Sequence, residues 1–160
     1  MRVTTAFNRV LGLAGASVRA VRLDVDGVVV TVALRRRRRV CSGCGQVVAA
    51  THDTVWSRWR HLNLGGQRCW IACWVRRVKC PDCGVRVEAV PWARPGSRFT
   101  RDFEDVAAWL AQQMARQPIT RLLRVAWDTV GRIVERVVAD RRDETRLAGL
   151  VVIGVETVPA

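Results

Sequence analysis

An α+β fold, in which a small β-rich unit precedes a three-helix unit, is predicted by three features of the chain. Two Cys-x-x-Cys-Gly turns, Cys41-Ser42-Gly43-Cys44-Gly45 and Cys80-Pro81-Asp82-Cys83-Gly84, punctuate its first half. Apolar β-branched runs flank Asp26-Gly27, a pair that signals a hairpin. Beyond residue 100 the apolar residues recur at helical spacing.

The β-rich part begins with an alternating pattern over 18–25, turns at Asp26-Gly27 and resumes over 28–34. Arg35, Arg36, Arg37, Arg38 and Arg39 then lead into the first Cys turn. A charge run of this kind forms either a solvated strand end or a row of phosphate contacts. Each Cys turn can present two thiolates to one metal, and the glycine after its second Cys permits the tight backbone turn around the sulfurs. Cys41, Cys44, Cys80 and Cys83 thereby complete a tetrahedral four-sulfur set, a zinc ribbon holding one structural Zn2+. Four protein ligands leave no open position for a bound water, so the metal is expected to hold a fold and to do no chemistry.

Between the knuckles, residues 46–79 carry Trp56, Trp59, Trp70 and Trp74 among Arg58, Arg60, Arg68, Arg76 and Arg77. A strand over 68–79 puts Cys69, Ile71, Cys73 and Val75 on one face and Trp70, Ala72, Trp74 and Arg76 on the other. Cys69 and Cys73 are expected as buried small hydrophobes, with a role as alternative ligands left open. The tryptophans suit either a core or base stacking. His52 and His61 are expected at the surface, since the four-sulfur set is already complete.

Two prolines and a glycine in Val90-Pro91-Trp92-Ala93-Arg94-Pro95-Gly96 mark the expected domain boundary, giving a zinc-binding domain over 1–92 and a helical module over 100–140. Thr100 or Asp102 can cap a helix reaching about Met114, with Phe103, Val106, Ala107, Leu110 and Met114 on one side. A short helix from Pro118, which suits a first helical position, carries Ile119, Leu122 and Leu123. After Arg124-Val125-Ala126, a third helix from Asp128 to about Ala139 buries Val130, Val134 and Val137. This is the layout of a helix-turn-helix, and also of a plain three-helix packing unit. If the third helix reads bases, its first turn nominates Trp127, Asp128, Thr129 and Arg132, with Arg124 and Arg136 nearer phosphates.

The net charge is +13 over 160 residues. Residues 1–101 hold 19 Arg/Lys against 5 Asp/Glu, whereas 102–160 hold 8 against 9, so the excess sits on the metal-binding half. Double-stranded DNA is the partner this predicts, because neutralised phosphates release counterions; an anionic membrane is disfavoured for want of a long basic amphipathic helix. The apolar run from Val10 to Ala16 faintly resembles a signal peptide but is bracketed by Arg9 and Arg19 and is too short to span a bilayer. Six cysteines, four of them at metal spacing, point to the reducing cytoplasm. No Ser/His/Asp set or carboxylate cluster marks a hydrolase or nuclease.

Taken in order, the arginine-rich hairpin entering the first knuckle, the second knuckle in Arg77-Val78-Lys79-Cys80-Pro81-Asp82-Cys83-Gly84, the stretch Val125-Ala126-Trp127-Asp128-Thr129-Val130-Gly131-Arg132-Ile133-Val134 and the closing Val152-Ile153-Gly154-Val155-Glu156 resemble the N-terminal part of transposases of the ISL-three insertion-sequence family. The resemblance implies a zinc-binding domain and a helix-turn-helix that recognise the terminal inverted repeats of a mobile element. In the family an RNase H-like catalytic domain follows, with a carboxylate triad binding divalent metal. The family places Asp-Glu after the Ile-Gly-Ile/Val strand, whereas this chain reads Ile153-Gly154-Val155-Glu156-Thr157 and ends at Ala160. The expectation for 141–160 is therefore a linker and a truncated first catalytic strand. A non-catalytic DNA-binding fragment follows, able to meet an intact transposase or a second copy of itself. The alternatives are a protein-interaction zinc module and a gene remnant without function.

Overall fold

The computed structural model describes residues 2–142. The linker and strand expected around Glu156 lie outside the described residues. Among those described, the chain is α+β: α1 (Val3–Leu11), β1 (Ala16–Asp24), β2 (Gly27–Leu34), β3 (Thr51–Leu64), β4 (Gln67–Cys80), β5 (Gly84–Val87), α2 (Arg101–Gln113), α3 (Arg116–Leu123) and α4 (Trp127–Arg141). The strands form one sheet in the order β1-β2-β4-β3, with β5 also paired to β4.

The hairpin at Asp26-Gly27 forms as the sequence predicts, with Asp24 opposite Gly27. Val25 is wholly exposed and belongs to the turn, so the first strand stops short of it. Gly27 has φ 120, and a Cβ there would stand 2.2 Å from the carbonyl oxygen of Arg68. That crowding arises because β2 runs parallel to β4, with Val28 beside Cys69 and Ile71 beside Val30. Only glycine fits both the turn and the neighbouring strand.

The strand expected over 68–79 is β4, and its alternation is as predicted: Cys69, Ile71, Cys73 and Val75 are buried, while Trp74 is exposed. Its antiparallel partner β3 arises from the segment between the knuckles, with Trp59 opposite Ile71 on the inner face and Trp56 opposite Trp74 on the outer face. Trp59 meets Trp92 edge-on at 5.6 Å between ring centroids. Trp92 comes from the Pro/Gly stretch expected as a boundary; it, Ala93 and Arg94 are all buried, so this stretch is packed against the sheet core.

The apolar run near the N-terminus belongs in part to α1, a helix the sequence reading did not foresee. Phe7 and Leu11, four residues apart, share a face and pack on the sheet core. Gly12 ends the helix in the left-handed conformation, φ 54. Asn8 ties α1 to β1, its Oδ1 accepting from the Val18 amide at 3.0 Å.

The three later helices stand close to their predicted positions. Thr100 caps α2, its hydroxyl oxygen accepting from the Phe103 amide. Pro118 is the third residue of α3, one turn inside the start, where its missing N–H is still among those without an intrahelical partner. Phe103, Ala107, Leu110, Ile119, Leu123, Val130, Ile133 and Val137 form a second core. Ile133 was missed by the periodicity reading, and Leu122, expected inside, is exposed.

Two sets of bonds tie the connecting stretch, one to the sheet and one to the helices. Arg60 of β3 donates its amide to Arg98 and accepts from the Thr100 amide, at 2.8 and 2.9 Å. Beneath α2, Glu104 is wholly buried and accepts from Ser97 Oγ (2.6 Å), Arg136 Nε (2.8 Å) and Arg94 (3.1 Å). Arg94 continues to the half-buried Asp105 and the exposed Asp140, so an ionic network centred on the buried Arg94–Glu104 pair clamps α2 against α4.

Candidate metal centre and nucleic-acid interface

The two Cys turns converge. The first follows β2 and its arginine run; the second is the turn between β4 and β5. Gly45 and Gly84 adopt φ +76 and +70, a left-handed conformation that makes the tight turns expected after each second Cys. An antiparallel bridge between Cys41 and Glu88 and a hydrogen bond from Gln46 Nε2 to Asp82 Oδ2 (2.8 Å) bring one turn against the other. The sulfurs of Cys41, Cys44, Cys80 and Cys83 all lie within 4.8 Å of one another. Those of Cys44 and Cys80 are 3.5 Å apart. Tetrahedral zinc with Zn–S bonds of about 2.3 Å separates its sulfurs by about 3.8 Å, so one ion fits this set with contraction of the longer gaps.

Packing around the sulfurs is close. Gly43 sits where a Cβ would come 3.0 Å from Cys83 Sγ, and its amide points at Cys41 Sγ from 3.4 Å. Cys41 and Cys80 are buried with Val48 and Val78, while Cys44 is exposed. Without a metal, the backbone amides of Cys44 and Gly43 draw the Cys41 thiol down to about 7. The hydrogen bond to Cys44, then burial, push Cys83 up to about 12. Cys41 is thus favoured as the thiolate while Cys83 resists ionisation beside it, a penalty that a dication bound between them removes.

Cys69 and Cys73 are absent from the sulfur cluster. Both lie in the sheet core, and burial pushes each thiol up to about 11. His52 is exposed, as expected. His61 is not at the surface: it is buried, with Nδ1 2.8 Å from the hydroxyl of Thr100, and burial lowers its pKa. It supports the α2 cap and lies outside the sulfur set. Its place on the inner face of β3, two residues from Trp59, was the signal available in the sequence.

The arginine run divides. Arg35, Arg37 and Arg38 are exposed. Arg36 donates to the carbonyl of Ala89 at 2.8 Å and Arg39 to that of Ala49, so these two tie the entering chain to its neighbours. In the helical unit, Arg124, Asp128 and Arg132 are exposed. Trp127 and Thr129 are half-buried, the Trp127 ring lying 5.6 Å from the guanidinium carbon of Arg116. Arg136, nominated for phosphate contact, points inward to Glu104. On the outer face of the sheet, Trp56 and Trp74 form an exposed pair 5.4 Å apart, and Arg58 stacks over Trp70 at 4.5 Å. Among the described residues, no helix is long and apolar enough to cross a membrane.

Residues 37–83 match the zinc-finger of transposase IS204/IS1001/IS1096/IS1165, and residues 88–138 match the helix-turn-helix domain of transposase family ISL3. Over 138 residues the chain is 37% identical to the transposase for insertion sequence element IS1557 of Mycobacterium tuberculosis, in both strain CDC 1551 and strain H37Rv. The match covers 83% of this chain and 31% of those relatives, so the chain spans about a third of their length. No solved structure matches it.

Proposed function

The chain belongs to the ISL3 transposase family, and from that premise we propose that it is a zinc-dependent DNA-binding unit that recognises the terminal inverted repeats of an insertion sequence and does not itself cut DNA. The observation that carries the reading is the convergence of Cys41, Cys44, Cys80 and Cys83 within a basic chain. One zinc ion, saturated by those four thiolates, would hold the arginine-bearing turns in place and supply no catalysis. The three later helices act as a helix-turn-helix, with α4 as the helix that enters the major groove. Asp128 and Arg132, exposed at its start, are the side chains best placed for base edges: Arg for guanine and Asp for the cytosine amino group. Arg35, Arg37, Arg38 and Arg124 serve phosphates. The zinc-binding domain (1–92) and helical module (100–140) work together in the cytoplasm, where an intact transposase or a second copy is the natural protein partner.

The test is binding of the zinc-loaded protein to duplexes carrying an element end or scrambled sequence, across a range of salt. The proposal expects affinity to fall steeply with salt for both and the element end to bind more tightly. A salt-independent affinity would remove the phosphate argument; equal affinity for both duplexes would remove recognition of the ends. The exposed Trp56/Trp74 pair favours a second reading, a protein-interaction surface. Indifference of a bound protein partner to added DNA would support it.

A further inference from the structure

A cavity of about 760 Å³ opens at the seam between the sheet and the helical unit. Its lining includes Arg58, Arg60, Arg68, Arg98 and Arg124, with Trp70 as an aromatic wall. The carboxylate in the lining, Glu88, is already held by Arg76 at 2.9 and 2.7 Å. Arg60 is 4% exposed, yet its guanidinium meets only neutral acceptors: the carbonyls of His61 and Cys69 and the Asn63 side chain at 2.6 Å. Among the described residues, Arg60, Arg68, Arg98 and Arg124 make no ion pair. A buried cation is ordinarily matched by an anion, and this one is not. Burial, with the nearby charges of Arg68 and Arg124, lowers its pKa, the mark of a site short of negative charge. Arg124 adds an independent sign. It is the one non-glycine among the described residues at positive φ (54), a conformation that costs an L-residue about 1–2 kcal/mol. Glycine or asparagine would end α3 more cheaply, so a guanidinium is kept at this cavity against a local cost.

We propose that this cavity binds a backbone phosphate of the DNA, clamped by Arg68, Arg98 and Arg124 at its mouth with the buried charge of Arg60 behind them. The proposal deepens the DNA-binding reading and rests on it. Because Arg68 comes from β4, Arg98 from the connecting stretch and Arg124 from the turn between α3 and α4, one phosphodiester would fix the zinc-bearing sheet and the helix-turn-helix in a single register on the duplex. The donor set suits that ligand: guanidinium groups pair with phosphate oxygens in a bidentate fork.

The experiment measures the salt dependence of binding to a random-sequence DNA duplex for the zinc-loaded protein, for an R68Q/R98Q variant, for R68K/R98K and for R9Q, whose arginine is exposed on α1 and does not line the cavity. Arg68 and Arg98 are both exposed, so the substitutions spare the core. Loss of the one clamped phosphate should reduce the slope of log affinity against log salt by about 0.9, the value for each phosphate neutralised. R68K/R98K should keep most of the slope, and R9Q all of it. If the parent binds with a steep slope that R68Q/R98Q leaves unchanged, the seam site is overturned while the DNA-binding reading stands. If the parent does not bind duplex DNA, both fall. Free inorganic phosphate that protects the parent against thermal unfolding while duplex binding ignores R68Q/R98Q would assign the cavity to a small anion and overturn the clamp.

Discussion

Removing the metal should open the first knuckle and leave the sheet standing. Ordering the backbone over 41–48 costs about 8 kcal/mol at about 1 kcal/mol per residue. Against this, the Cys41, Ser42, Gly45 and Val48 amides each donate to a backbone carbonyl, which returns about 4 kcal/mol at about 1 kcal/mol each. Burial of Val48 and Val78 adds about 3–6 kcal/mol. The balance is within a few kcal/mol of zero, so this segment has no secure fold of its own. Zinc binding contributes on the order of 10 kcal/mol in small four-ligand sites. That is enough to lift local opening to the limit set by global unfolding, about 5–15 kcal/mol. Treatment of the purified protein with a strong zinc chelator should therefore lower amide hydrogen-exchange protection at Cys41, Gly45 and Val48 by about a thousandfold or more. Amides of Val30 and Ile71, deep in the sheet, should change little. Elemental analysis should find one zinc per chain. Protection over 41–48 that is indifferent to chelation, or protein that folds and carries no metal, would refute the reasoning.

Three further outcomes are expected. R124G should raise thermal stability by the equivalent of about 1 kcal/mol, by relieving the left-handed conformation, while weakening DNA binding; a fall in stability, or unchanged affinity, counts against the assignment of its side chain. E104Q should destabilise by about 3–5 kcal/mol, because it breaks a buried set of charge-assisted bonds to Arg94 and Arg136, and R136Q should lower stability while R132Q lowers affinity; denaturant titration and duplex binding separate the two effects. His61 is held below its ordinary value by burial, so its contribution is complete above about pH 6.5 and is lost as pH falls through the lower folded value. The stability gap between the parent and H61Q should narrow on acidification through that window, and a constant gap would show that His61 does not titrate with folding.

The legible parts of this protein were those whose signal is local. The Asp26-Gly27 hairpin, the tight turns at Gly45 and Gly84 and the alternation of β4 each depend on a few adjacent residues and stand as the pattern predicts, and of the two cap candidates Thr100 is the one used. What the sequence withheld depends on contacts between distant segments. The side-by-side parallel pairing of β2 and β4 joins strands separated by the whole first knuckle, and no period in the chain announces it. His61 looks like any polar strand residue until α2 is laid over β3 and Thr100 meets it. The burial of Trp92 and Arg94 contradicts the composition of their Pro/Gly-rich surroundings, because the sheet core and Glu104 supply partners that neighbours in sequence do not.

Charge shows the same division most clearly. By segment, the helical half is near neutral, which argues against a nucleic-acid face there. Space arranges the charges otherwise. Glu104, Asp105 and Asp140 are gathered into one network with Arg94, Arg101, Arg136 and Arg141, between α2 and the far end of α4. Gathering those three acids there leaves the α3 side, the turn and α4 as far as Glu135 with Arg116, Arg121, Arg124 and Arg132 against Asp128 and Glu135, all exposed. A count along the chain averages these two regions to near neutrality, whereas a phosphate approaching the turn meets the second, whose exposed charge is net positive. The network, centred on the buried Arg94–Glu104 pair, thus has two consequences: it fastens the helices together, and it holds three of the carboxylates away from the side that DNA would approach.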